Sequence, residues 1–565
     1  MITFQLEYGG MYRSHVPVFQ ASVGQSTYDN TRLTKRREMN IFHGSIVTCD
    51  KNNNQFKYLV EDRGKIVFVG DELPEQFARH QSVIELGSRA LIPAFGDGHL
   101  HFSNWALIAG EYFDVRTSKN FKEMGDIITR FTSQDKKSKI IVGFGISSHS
   151  VEEQRLITRK ELDVIHSKRP LLIVCYDGHS LVANSALIEL YPEKIRNLRG
   201  FNSDSGQLFN EAYYEGLDYV TSKISLPKLI KSVIGGYDLL AEKGIGLIHT
   251  VEGIGFPGDM DVTLVNMIAK ARAKKNRFQT RVFFQTLDVK KVIKRKLPRI
   301  GGCFAAALDG CFGACDAALV EPYSHEPDNK GILFYRDEEV ASFAKEANRA
   351  GLQIELHAIG DAAINQAISA IEKALTDTPR EDHRHTIIHA CLLSTENIER
   401  CAKLGIGITL QPGFLGTDLE PVEYLQKILG DRVLTSSALR TMVDSGIHVS
   451  GGSDAPVTHP DPIEGMYFCC NHPYDDSQSL SIQEALKLYT YEVAWTSFDE
   501  KDRGSLETGK IADMTLLNKN PLELDKTDLK SLKAEQLYLN GEPYKPGMGV
   551  SSMLLNSLTS GRVIT

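Results

Sequence analysis

The sequence has no apolar stretch able to cross a bilayer. Its longest runs, such as PLLIVCY at 170–176, fall far short of the ~20 residues a spanning helix needs. It also lacks a long basic run, and its net charge is −8, which argues against a nucleic-acid surface. Residues 1–38 mix Tyr, Arg, Gln and Ser without the apolar centre of a signal peptide, and read as a poorly specified extension. The nine cysteines are an odd number with no secretory signal, so reduced thiols and a cytoplasmic location are expected. Cys303, Cys311 and Cys315 lack the second closely spaced pair that a metal knuckle needs, and read as small buried core residues. No internal repeat or low-complexity segment is present.

What is there is a globular chain of 565 residues, 42% hydrophobic and 24% charged, long enough for more than one structural unit. Residues 39–92 read as short strands punctuated by turns, and 503–548 return to that style, so one small β domain assembled from both ends is expected. Between them come eight short apolar runs, at 93–101, 244–252, 281–286, 301–310, 352–360, 385–392, 405–412 and 447–454. Helical patterns separate them. After 352–360, for example, Ile364, Ala367, Ile368, Ile371 and Leu375 recur at helical spacing, with Asp361 placed to cap. Eight buried strands alternating with helices predict an α/β fold, a (β/α)8 barrel over 93–115 and 241–502. A doubly wound parallel sheet is the alternative on pattern alone. Residues 116–240 are too many for one crossover and read as an inserted substrate-pocket subdomain, and 549–565 as a C-terminal tail.

The chemistry-bearing residues cluster where those runs end. His99 and His101, two apart in GHLHF, share one face of a strand. His357, His389 and Asp454 close the fifth, sixth and eighth runs. Any one of them has an ordinary explanation, a His bonded to a carbonyl or an Asp capping a helix. Five at the same relative position, at the end of a barrel where active sites form, point to a divalent metal. His383 and His385 flank the start of the sixth run, the wrong end, and carry no assigned chemistry.

The pieces GHLHF, DGHSLVANSAL, LDGCFGACDAAL, ELHAIGDAAI, RHTIIHA, GGSDAPV and GSLETGKIADMTLLNKNP resemble the metal-dependent amidohydrolase superfamily, in its N-substituted formamide deformylase-like branch. The resemblance spans roughly 40 to 525. It implies that 39–92 and 503–548 form a split β-sandwich. It also implies that His99, His101, His357 and His389 are metal ligands, and that Asp454 is both ligand and proton shuttle. One departure stands out. The branch commonly carries a strand-four lysine, four residues before an Asp-Gly pair, that is carboxylated to bridge two metals. Here that position is Ala305, and no lysine occurs between Lys296 and Lys330. Glu252, at the end of the second run, is a substitute by position, with a solvated loop carboxylate as its plainer reading. Without a bridge, one tightly bound ion is expected, zinc first, with a second weakly held or absent and His389 free to polarise a carbonyl.

Asp177 and His179 in the insert and Glu252 at the end of the second run are candidate substrate contacts, and Asn184 a helix cap. The expected reaction is hydrolysis of a non-peptide carbon–nitrogen bond in an amide, N-acyl amine or cyclic amide by a metal-activated hydroxide. Asp454 and His389 would be its catalytic residues. Deamination of an aminoheterocycle by the same site, or a metal-poor binding protein, are the alternatives. The expected partner is a small molecule, with neither nucleic acid nor membrane, and a homodimer is a further possibility.

Overall fold

The computed structural model describes residues 39–79, 83–135, 137–416 and 420–559. The extension read at 1–38 lies outside them. Each of the eight apolar runs overlaps a strand of one parallel sheet: β1 (Phe95–Leu100), β2 (Ile245–Glu252), β3 (Gln279–Phe284), β4 (Arg299–Ala307), β5 (Gln353–Ala358), β6 (Thr386–His389), β7 (Gly407–Leu410) and β8 (Val449–Gly451); β3 and β4 each begin two residues earlier than their runs. They neighbour one another in chain order from β1 to β8, each pair parallel. A doubly wound sheet would reverse direction partway; this one does not. Its two edge strands are tied just beyond their ends, where Asp454 N–H donates to His99 O at 2.8 Å and His101 N–H to Ala455 O at 2.8 Å. The sheet is thus a nearly closed (β/α)8 barrel, which accounts for strands buried on both faces.

The helices behave as the spacing predicts, with one difference. Ile364, Ala367, Ile368 and Ile371 are buried along helix Asp361–Asp377. Asp361 is its first helical residue, however, and Gly360 takes the cap position. The Asp361 carboxylate accepts instead from the Val320 backbone N–H at 2.9 Å.

Both ends of the described chain meet in a seven-stranded sheet. Its order is Glu542–Pro543, Ala534–Leu539, Met514–Leu517, Val83–Pro93, Asn40–Val47, Gln55–Asp62, Lys65–Gly70. The junction is Val83–Pro93, paired antiparallel to Met514–Leu517 and parallel to Asn40–Val47. Phe42, Leu59, Leu91, Leu506, Met514 and Leu516 share the core of this sheet.

A third sheet, of five strands from Phe113–Asp114 to Gln207–Phe209, carries a separate apolar core on each face. Asn184 caps its helix Ser185–Leu190 by accepting from Leu187 N–H. Helix Leu226–Glu242, by contrast, packs its Val233, Tyr237 and Leu240 into the barrel core. Residues 550–559 form a helix, Val550–Thr559, whose Met553 is buried against the barrel. Among the described residues no helix is long and apolar enough to cross a membrane.

Candidate metal centre

Strand alternation puts Asp97, His99 and His101 on one side of β1. Asp97 acts as the local clamp. It accepts from His99 N–H at 3.1 Å, Ser453 N–H at 3.0 Å and Ser453 Oγ at 2.6 Å, pinning the segment after β8 against β1. That brings Asp454 to His99 and His101: its Oδ1 lies 3.2 Å from His99 Nε2 and 3.1 Å from His101 Nε2. His357 and His389, at the ends of β5 and β6, stand with ring centroids 4.6 Å apart. The His389 ring is 5.9 Å from that of His99. All five residues are buried. His389 (φ 70°) and Asp454 (φ 53°) hold left-handed backbone conformations, which cost non-glycine residues energy and cluster at functional sites.

The donors fit a cation. Asp454 Oδ1 is buried and accepts no hydrogen bond of good geometry, although two imidazole nitrogens lie near it. A buried carboxylate oxygen is normally satisfied, and a cation shared with the facing Nε2 atoms of His99 and His101 would satisfy this one. Burial pulls His389 down to about 4 and, with the neighbouring His389, holds His357 well below the ordinary histidine range. Both imidazoles are therefore neutral at pH 7, the form that binds a metal. Burial alone would raise Asp454, but the His101 and His99 imidazoles outweigh it and keep the carboxylate ionised.

Two residues that sequence reasoning passed over belong to this centre. Cys303, read as a plain core residue, is buried as expected. Its Sγ, however, lies 3.3 Å from His99 Nε2 and 3.7 Å from His389 Nε2. The donor atoms of His99, His101, Cys303 and Asp454 all fall within 4.8 Å of one another. A signal was present, since Cys303 lies within the fourth apolar run, two residues from Ala305. Gln411, just past β7, stands at the end of the seventh run as the ligand candidates do at theirs, but an amide side chain is not a usual metal ligand. Its Nε2 donates to Thr409 O at 3.3 Å, which turns Oε1 toward His389 Nδ1 at 2.6 Å. The Nδ1 of neutral His389 therefore carries the proton and Nε2 offers a lone pair to the centre.

Glu252 is not brought in. Its Oε1 accepts from Ser103 N–H at 3.2 Å and Thr250 Oγ1 at 2.7 Å, and Ser103 Oγ donates to Oε2. Those bonds turn it toward the start of helix Phe102–Glu111, which corrects both the bridging and the substrate-contact expectation. It is buried, so the solvated-loop reading fails as well. Asp177 and His179 line the cavity that opens over His357, His389 and Asp454. Asp309 accepts from the Ala318, Ile359 and Gly360 N–H groups and steadies the turn after His357. His383 and His385 bond to Leu404 O and to Ile354 N–H, away from the cavity.

The cavity is open on one side and has a mainly apolar wall that includes Leu107, Val142, Phe144, Leu217 and Phe304, the lining of a small-molecule site.

Comparison with known proteins gives the chain's family. The profile of the amidohydrolase family matches residues 82–544. YtcJ of Bacillus subtilis (strain 168), a provisional amidohydrolase, is 28% identical over 534 residues, 89% of this chain and 98% of that protein. N-substituted formamide deformylase of Arthrobacter pascens is 23% identical over 547 residues, covering 90% and 98%. In fold, the chain is similar to an uncharacterized metal-dependent hydrolase from Pyrococcus furiosus. The TM-score is 0.68 at 24% identity, over 86% of this chain and 100% of the other.

Proposed function

Because the chain belongs to the amidohydrolase family and is thus an enzyme that hydrolyses carbon–nitrogen bonds, we propose that its substrate is a small amide, N-acyl amine or cyclic amide with an apolar substituent. The observation that carries this reading is the convergence of His99, His101, His357, His389 and Asp454, the last four of which line a cavity with an apolar wall. Those five residues would hold a divalent ion, zinc being the expected one. When bound, such an ion supplies an acidified water, its pKa brought from ~15.7 toward 7, and positive charge for a developing oxyanion.

The chain's own residues do the rest. Asp454, kept ionised, accepts the proton of the attacking water and delivers it to the departing nitrogen, base first and acid second. His389 serves as a ligand. To polarise a carbonyl by hydrogen bonding it would need a second proton, which its burial opposes. Leu107, Val142, Phe144 and Leu217 take the apolar substituent out of water. Asp177 and His179, which also line the cavity, orient the polar part of the substrate.

The test is a screen of N-acyl amines, cyclic amides and aminoheterocycles after metal depletion and reloading with zinc, manganese or iron. Metal-dependent amide cleavage, lost in Asp454→Asn, is expected. Release of ammonia from aminoheterocycles with no amide cleaved would replace this reading with deamination.

A further inference from the structure

We propose that the Cys303 thiolate is a metal ligand of this centre, the anion that links His99, His101 and Asp454 on one side to His357 and His389 on the other. The inference rests on the metal-dependent hydrolase reading and deepens it. With metal–sulfur bonds of ~2.3 Å and metal–nitrogen bonds of ~2.0–2.1 Å, a tetrahedral ion holds its sulfur and nitrogen ligands about 3.6 Å apart. Cys303 Sγ is 3.3 Å from His99 Nε2 and 3.7 Å from His389 Nε2. The same arithmetic places oxygen and nitrogen ligands about 3.3 Å apart, and Asp454 Oδ1 meets the two imidazoles at 3.2 and 3.1 Å. The donor atoms of His99, His101, Cys303 and Asp454 fall within 4.8 Å of one another, and the buried Oδ1 accepts no hydrogen bond.

The donor count points to a bridge. His99, His101, Cys303 and Asp454 make four ligands, a closed set of the kind found in structural sites. Cys303, His357 and His389 make three, leaving the open position that catalysis needs. Two cations ~3.5–4 Å apart need negative charge between them. The single-ion expectation rested on Ala305 being unable to supply it. A thiolate two residues earlier on β4 can. The backbone there is shaped to present it: Gly301 (φ 105°) and Gly302 (φ 123°) precede Cys303, and the β4–β5 register shifts between Gly302 and Ala307. On loading, the Sγ proton leaves to solvent and the sulfur lone pairs go to the ions.

X-ray absorption on zinc-loaded wild-type protein tests this without a variant. We expect a sulfur shell at ~2.3 Å beside nitrogen and oxygen at ~2.0–2.1 Å, with two equivalents of zinc per chain. The cobalt(II) form should show a near-ultraviolet thiolate charge-transfer band. Cys303→Ser, with unchanged circular dichroism, should lose the band and at least one equivalent of metal. A nitrogen- and oxygen-only shell in a metal-loaded, amide-cleaving protein would overturn the thiolate and leave the hydrolase reading standing. A sulfur shell with a single equivalent would overturn the bridge. Failure to bind metal at all would remove both readings together.

Discussion

Gln411 illustrates how much one buried amide decides. Its own bond to Thr409 O orients the side chain, and Oε1 then fixes the tautomer of His389. Groups behind a ligating histidine typically matter 10–100-fold for metal affinity. Gln411→Leu should therefore weaken metal binding by about that factor, read by competition with a chelator, while the metal-free fold persists. Glu252 makes the opposite case. Its carboxylate is occupied by Ser103 and Thr250, so Glu252→Gln should leave metal content unchanged. Burial, then the charge of Asp261, pushes Glu252 from its ordinary 4.5 to about 8. The folded state thus favours the neutral acid. Its contribution to stability is complete below about pH 4.5 and is lost as pH rises toward 8. Glu252→Gln cannot titrate, so its thermal midpoint should fall less than that of wild type between pH 5 and pH 8.

At the scale of elements, the strands were legible because burial on both faces forces uninterrupted apolar runs. The distortion of β4 was not. A Gly-Gly pair is compatible with a turn, a bulge or close packing, and only the neighbouring strand shows which applies. A Cβ on Gly301 would stand 1.9 Å from Glu355 O, and one on Gly302 would stand 2.7 Å from Val251 Cγ1. Gly301→Ala should therefore push β4 off β5 and displace Cys303. We expect a loss of more than about 2 kcal/mol in urea unfolding together with reduced metal content by mass spectrometry. Asp361 carries the same lesson in miniature. The helix was plain from its spacing, but the choice of capping residue depended on Val320, which spacing does not bring near it.

At the scale of the whole molecule, the two ends of the described chain depend on each other. Val83–Pro93 has Met514–Leu517 along one edge, and Leu506, Met514 and Leu516 complete the core beneath Phe42 and Leu91. A chain truncated after residue 502 would leave that edge unpaired and that core open. It is expected to accumulate as insoluble protein. Recovery of a soluble, metal-binding barrel would show instead that the barrel stands alone.

Local pattern determined the eight strands, the strand-rich ends and the five residues that meet at the barrel mouth, because periodicity and strand-end position are properties of neighbours in sequence. Tertiary structure alone decided what those five residues meet. Glu252 looked available until helix Phe102–Glu111 claimed it, and Cys303 looked like core until β1 and β6 set His99 and His389 beside its sulfur. A side chain's chemistry follows from the atoms within a few ångströms of it, and here decisive ones come from far along the chain, such as Ser103 beside Glu252 and His99 beside Cys303.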